Sequence, residues 1–355
     1  MDAFFASPEQ QICRTLLEAY SGHGSTIIRG SSETDPLQDF ARSTASGLVS
    51  APRRLECRFL YDAEGSALFE RVTQQPEYYL TRTETSILAA NAACIRELTG
   101  PVTLVELGSG SSAKTDFLLR AWLEQGERVC YVPVDVSESA LSGACSAITA
   151  KYPRVRVIGV NYDFREAFSL ISKLSPTLVL LLGSTIGNFS PQEMSRFFMT
   201  LSGAMTPGDG FLLGIDLVKD RSLLEAAYND AAGVTANFTR NIFARMNREL
   251  GSAIDTDAIE HVATYDRVKE QIEIYARFTR QQTFLLAPLG RQFAIPPGDM
   301  VQIEISRKFR LERVLPYLEE FGFSTEEIFT DERNWFALLL LRRRPRYYSA
   351  RGRGR

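Results

Sequence analysis

Histidine, tryptophan and cysteine are scarce in this chain, whose 355 residues hold two, two and five of them. The five cysteines (Cys13, Cys57, Cys94, Cys130, Cys145) are odd in number and scattered without C-x-x-C spacing, which argues against a disulfide framework and against a zinc site. They are expected to be reduced and mostly to pack. Long apolar runs are missing too. The most apolar stretch, LVLLLGSTIG, is far too short to cross a bilayer, and the opening MDAFFASPEQQICRTLLEAY has no basic start leading into an apolar core segment. A cytoplasmic, membrane-free protein is expected. No internal repeat and no long Gly/Ser/Pro linker divides the chain.

What is present is ordinary for a globular protein: 45% apolar and 23% charged residues, in a length that allows two compact domains. The net charge of -3 conceals an asymmetry, because the final RRRPRYYSARGRGR holds seven arginines and no acid. The rest of the chain carries 33 basic against 43 acidic residues. Nucleic-acid binders more often carry their positive charge on the folded domain, so the tail is expected to be a solvated, structureless end rather than an RNA-binding element.

Apolar strands alternate with amphipathic stretches through the middle of the sequence. VTLVELG, VCYVPVDVS, RVRVIGVNYDF, TLVLLLGSTIG and GDGFLLGIDLV read as strands, each separated by a helix-length segment, which predicts a βαβ series with a parallel sheet. After residue 218 the period becomes helical, and QIEIYARFTRQQTFLLA and VQIEISRKF then read as an antiparallel meander. RVLPYLEEFGF reads as a helix, and WFALLLLRR as a strand returning to the first sheet. The expected fold is α/β, a Rossmann-like domain with an inserted α+β domain. Residues 83–218 and 308–345 would form the first, 1–82 and 219–307 the second, and 346–355 the basic tail.

In VELGSGSSA a Gly-x-Gly turn lies between a strand and a helix, where exposed amide N–H groups let a cofactor rest against the backbone. Gly108, Gly110 and Ala113 also satisfy a dinucleotide fingerprint, which keeps a nicotinamide or flavin enzyme open. Acids at three successive strand ends favour S-adenosylmethionine. Glu106 can order the loop facing the amino-acid half of that cofactor, Asp135 can bind vicinal ribose hydroxyls, and Asp163 can accept from an adenine amine while Phe164 covers the ring. Lys114 is placed to reach the cofactor carboxylate, with Glu106 to orient it.

Several segments resemble the bacterial and fungal histidine N-α-methyltransferases that make hercynine for ergothioneine: FLYDAEGSALFERVTQQPEYYLTRTE, VELGSGSSAKT, LGSTIGNFSP, GIDLVKD, YNDAAGVTANFTRN and IEISRKF, in family order from residue 59 to 309. The resemblance implies a class I methyltransferase domain with a substrate-binding insertion, an L-histidine substrate and S-adenosylmethionine as methyl donor; no metal is required for the transfer, and a monomer is expected. By the same resemblance Asn188 and Tyr228 hold the substrate α-carboxylate, and Tyr61 lies near the amine and is the catalytic candidate. Tyr78 lies near the imidazole and cofactor, and Glu304 with Ser306 bonds the imidazole nitrogens. Gly108, Lys114, Asp135, Asp163 and Phe164 are the implied cofactor residues. A related branch of fungal enzymes methylates a prenylated tryptophan, and this is the alternative substrate class.

The residues suit that chemistry. Methyl transfer from a sulfonium to an amine needs a neutral nitrogen held in line, so positioning and deprotonation dominate. Tyrosine-rich walls tolerate a quaternary cation. Alternate spacing puts Glu304 and Ser306 on one face of a strand, and an acceptor with an adaptable hydroxyl suits the two unlike nitrogens of imidazole. Ile274 is expected in the pocket wall, and the two histidines, His23 and His261, outside every motif, are expected to be structural or solvated.

Overall fold

In a computed structural model, the described residues are 15, 16, 18, 25–29, 35–126, 128–162 and 164–345, with the side chains of 165 and 166 and of Phe164 excepted. Residues 15, 16 and 18 are helical, and strand β1 (Ser25–Arg29) and helices α1 (Pro36–Val49), α2 (Ala63–Thr73) and α3 (Tyr79–Thr99) follow. Asp35 and Asp62 cap α1 and α2 by accepting from backbone N–H groups of Leu37 and Gly65, satisfying donors that a helix start leaves unpaired.

A βα alternation follows: β2 (Thr103–Leu107), α4 (Asp116–Glu124), β3 (Val129–Val134), α5 (Glu138–Lys151), β4 (Val155–Asn161), α6 (Phe164–Ile171), β5 (Thr177–Leu181), α7 (Pro191–Ala204) and β6 (Gly210–Asp216). Every residue of β2, β5 and β6 is buried, which is why these strands read as apolar runs rather than alternating ones. The chain then leaves the sheet through α8 (Arg221–Ala226), α9 (Val234–Leu250), β7 (Ile259–Asp266), β8 (Gln271–Phe278), β9 (Gln282–Leu286), β10 (Arg291–Ile295) and β11 (Met300–Arg307). It ends on α10 (Leu311–Glu320), β12 (Phe323–Thr330) and β13 (Phe336–Arg343).

The main sheet has the order β1-β4-β3-β2-β5-β6-β13-β12. Neighbours from β1 to β6 are parallel, whereas β13 runs antiparallel to both β6 and β12. Strand order turns around between β2 and β5, and in such sheets ligands bind outside the carboxyl ends of the strands at that point. The fold is therefore the expected Rossmann-like α/β type. Four strands escaped the reading: β1, β7, β10 and β12. β1 pairs with β4 from Ser25↔Val157 to Arg29↔Asn161, so this part of 1–82 extends the large sheet. Its five residues STIIR are too short to show a period, and Ile28 alone is fully covered. β12 starts directly after the helix at Phe323, where charged Glu326 and Glu327 mask the alternation of an edge strand.

The segment between β6 and α10 builds a three-stranded antiparallel sheet, β11-β8-β7, with a β9–β10 hairpin beside it. Its core is shared with the first helices: Phe40, Leu48, Leu60 and Tyr79 pack in one cluster with Phe238, Phe243, Ile274 and Ile303. Two other clusters cover the two faces of the main sheet. Where the insertion leaves and returns, Leu217 bridges Phe309, with Phe309 N–H donating to the Asp216 carbonyl at 2.8 Å and Val218 N–H to the Phe309 carbonyl at 3.0 Å.

Candidate active site

A cavity of about 1240 Å³ runs from the carboxyl ends of β2 and β3 to the inner face of β11. That exceeds the ~300–1,000 Å³ of a pocket for one small ligand, leaving room for two side by side. Gly108, Lys114 and Asp135 line one end, and Tyr61, Tyr78, Asn188, Tyr228, Glu304, Ser306 and Ile274 line the rest. Asp163 and the Phe164 side chain fall outside the described residues.

At the glycine end, Gly108 and Gly110 have φ of 70° and 50°, a left-handed backbone that disfavours side chains. An added Cβ at either would meet nothing within 4 Å, so conformation rather than crowding calls for glycine. Asp135 spends one oxygen on Gly110 N–H at 2.8 Å and the other on Ser137 N–H at 2.9 Å, which fixes the carboxylate plane and leaves further lone pairs for a ligand. Burial pushes its pKa up. Glu106 accepts from Thr115 Oγ1 at 2.6 Å and from the Tyr131 hydroxyl, tying both ends of the loop to the sheet. Its burial raises the pKa to about 7.

Lys114 takes a different partner from the one expected. Its ammonium lies 2.5 Å from Glu84 on α3, not on Glu106. Glu84 is fully buried and also accepts from Gly183 N–H at 2.8 and 2.9 Å, so this carboxylate is bound on two sides before it meets the lysine. Nothing in the local sequence marks Glu84, because its partners come from two distant loops. Gly214 makes room for it: a Cβ there would stand 2.2 Å from Glu84 Oε1.

At the other end, β11 presents Glu304 and Ser306 on one face, as the spacing predicts. Burial raises the Glu304 pKa to about 7, while Lys308 and the Asn188 amide pull it down. The Tyr228 hydroxyl sits 2.7 Å from Ser306 Oγ. Lys308 Nζ donates to both of these oxygens, at 2.9 and 2.8 Å, and pairs with Asp216 at 2.9 Å, with neither charged side chain exposed. Asp216 also accepts from Tyr79 Oη at 2.8 Å and from Lys219. Lys219, stripped of water there, has its pKa lowered to about 8.

Aromatic rings join the two ends. Tyr61 packs edge-on to Phe69 and Phe238, with centroids 5.6 and 5.5 Å away, and Phe69 meets Tyr78 at 6.2 Å, which meets Tyr228 at 6.0 Å. Burial raises the pKa of Tyr61, Tyr78 and Tyr228 well above the ordinary phenol value, with the Glu304 carboxyl adding to it in each. All three stand as neutral phenols. Tyr61 can thus orient an amine by hydrogen bonding but is poorly suited to remove its proton as a phenolate.

The family described as SAM-dependent, histidine-specific methyltransferases matches residues 40–343. The chain is 43% identical over 299 residues to the histidine N-alpha-methyltransferase of Mycolicibacterium smegmatis, covering 84% of this chain and 93% of that one. The corresponding enzyme of Mycobacterium tuberculosis is 41% identical over the same shares. Ergothioneine biosynthesis protein 1 of Neurospora crassa is 29% identical over 74% of this chain and 30% of its own length. This chain belongs to the SAM-dependent, histidine-specific methyltransferase family. The glycine loop is accordingly that of a methyltransferase, which sets aside the nicotinamide alternative.

For a histidine-specific methyltransferase the sequence reading missed Glu84, Asp216 and Lys308. All three lie in segments that were recognised, Glu84 at the end of FLYDAEGSALFERVTQQPEYYLTRTE, Asp216 in GIDLVKD and Lys308 in IEISRKF, but their roles depend on contacts between distant chain segments. His261 proves structural: Nδ1 meets Thr239 Oγ1 at 2.9 Å and Nε2 meets the Tyr228 carbonyl at 2.8 Å, directly behind the pocket. His23 and residues 346–355 lie outside the described residues. Among those described, no helix is long and apolar enough to cross a membrane.

Proposed function

We propose that this chain trimethylates the α-amino group of L-histidine to hercynine with S-adenosylmethionine as donor, the first step of ergothioneine biosynthesis. The observation that carries the reading is one continuous cavity with the glycine loop and Asp135 at one end and Glu304 with Ser306 at the other. The donor set suits the cofactor: loop amides and the oriented Asp135 carboxylate for its ribose, and Lys114 for its carboxylate. When bound, the cofactor supplies an electrophilic methyl group on a sulfonium.

In this reading the chain's own residues position and shield. Asn188 and Tyr228 hold the α-carboxylate, Glu304 and Ser306 hold the imidazole, and Tyr61 accepts from the amine to aim its lone pair at the methyl group. Tyr78 closes the wall between the two ligands. Holding both reactants in line supplies most of the rate that a displacement of this kind requires. Each transfer needs the amine neutral, and the aromatic wall of Tyr61, Phe69, Tyr78 and Phe238 can surround the growing cation without a repelling charge.

A part-buried carboxyl in an aromatic-walled cavity also disfavours the alternative substrate class. A prenylated indole would leave Glu304 without a partner for one oxygen, and an unpaired buried acceptor is costly. The test is incubation of the chain with S-adenosylmethionine and each of the twenty amino acids, read by mass. A product heavier by three methyl groups with histidine alone is expected. No methylated amino acid at all would overturn the proposal.

A further inference from the structure

We infer that Lys308 is a positioning residue for substrate recognition: its ammonium fixes the Tyr228 and Ser306 hydroxyls so that together they offer a single hydrogen bond to an anionic group of the ligand. The inference rests on the proposed binding of the substrate α-carboxylate by Tyr228.

An ammonium has three N–H groups, and here each has a place: Tyr228 Oη at 2.9 Å, Ser306 Oγ at 2.8 Å and Asp216 at 2.9 Å. Both hydroxyl oxygens therefore act as acceptors. They also lie 2.7 Å from each other, so one of their two protons is used between them. One proton remains. Tyr228 and Ser306 both line the cavity, so that proton is available to a ligand, and a hydroxyl that accepts from a cation is a stronger donor for it.

The charge points the same way. Lys308 has no exposed side-chain surface, so water does not screen it. Asp216 is shared with Lys219 and so does not neutralise Lys308 alone, with Glu304 the other acid that Lys308 acts on. Such a base gains more from a carboxylate above it than from an alcohol.

Lys308 also has an anchored origin. Phe309 N–H donates to the Asp216 carbonyl at 2.8 Å, so the lysine stands at the seam where the insertion rejoins the main sheet. Ser184 Oγ accepts from Asp216 N–H at 3.0 Å on the other side. The ammonium thus has little freedom to follow a badly placed ligand.

The experiment measures Kd for L-histidine and for histidinol, which carries an alcohol in place of the carboxylate, by calorimetry in the presence of S-adenosylhomocysteine. Lys308→Met leaves Asp216 paired with Tyr79 and Lys219, so the carboxylate is not stranded. The expected result is a roughly tenfold loss of L-histidine affinity, as for a hydrogen bond to a charged group. Histidinol and S-adenosylhomocysteine affinities should change less than about twofold. Because the lysine acts in part through Tyr228, its effect on histidine should be smaller in a Tyr228→Phe background.

Equal losses for histidine and histidinol, or additive effects with Tyr228→Phe, would overturn the inference. If Tyr228→Phe alone leaves the preference for histidine over histidinol intact, the carboxylate reading fails and the inference falls with it. Should Lys308→Met not fold, Lys308→Arg keeps the charge but cannot close the same three contacts with a planar fork. It should still bind S-adenosylhomocysteine normally while weakening histidine, and normal histidine affinity there would overturn the positioning role.

Discussion

The Tyr228 hydroxyl lies 2.7 Å from Ser306 Oγ, joining the helical start of the insertion to its last strand. Removing one partner leaves the other with Lys308 alone. Ser306→Ala should therefore raise KM for histidine about fivefold, near the ~1 kcal/mol of a neutral hydrogen bond, with kcat within about twofold. Steady-state kinetics check it, and an unchanged KM would show that Ser306 has no part in binding.

Glu304 predicts a dependence on pH. Burial raises its pKa from the ordinary 4.5 to about 7, so the folded state holds its proton more tightly than the unfolded chain does. The stability this contributes is complete below pH 4.5 and is lost as pH rises through about 7. Glu304→Gln should match the parent in melting temperature near the lower limit and exceed it above the upper one. Parallel melting curves across that window would show that Glu304 does not titrate there. In catalysis, Glu304→Ala should raise KM for histidine and relax selectivity toward apolar aromatic amino acids.

The cofactor end yields a test that separates geometry from charge. Both Asp135 oxygens accept backbone N–H bonds, so Asp135→Asn would turn an NH2 group against Gly110 or Ser137 N–H. Asn should thus bind S-adenosylmethionine no better than Ala, each at least about tenfold weaker than the parent. Calorimetric titration measures this, and rescue by Asn would refute the argument.

Gly214→Ala should act at a distance. Its Cβ would stand 2.2 Å from Glu84 Oε1, and Glu84 holds Lys114 and Gly183. Overpacking of this kind costs about 1–3 kcal/mol, so the melting temperature should fall by several degrees, with KM for S-adenosylmethionine raised. A variant with parental melting and kinetics would mean that Glu84 moves aside freely.

The strands β2 to β6 were legible because buried parallel strands are continuous apolar runs, and Asp135 because it follows one of them. Glu304 and Ser306 were legible as neighbours because a strand has a period of two. Glu84 was not, since a glutamate in the helix TRTETSILAA looks like a solvated residue until Gly183 and Lys114 close over it. Lys308 was hidden for the same reason, its three partners lying on β6, β11 and the loop before α9. β1 escaped because five residues cannot display a period.

Helix α3 carries more than its length suggests. Tyr78 stands at its start and lines the cavity, Tyr79 holds Asp216, and Glu84, less than two turns on, holds Lys114. This one helix braces both ends of one cavity, so if one ligand shifts it, the other must feel the shift too. The free energy of that coupling is the same whichever ligand arrives first.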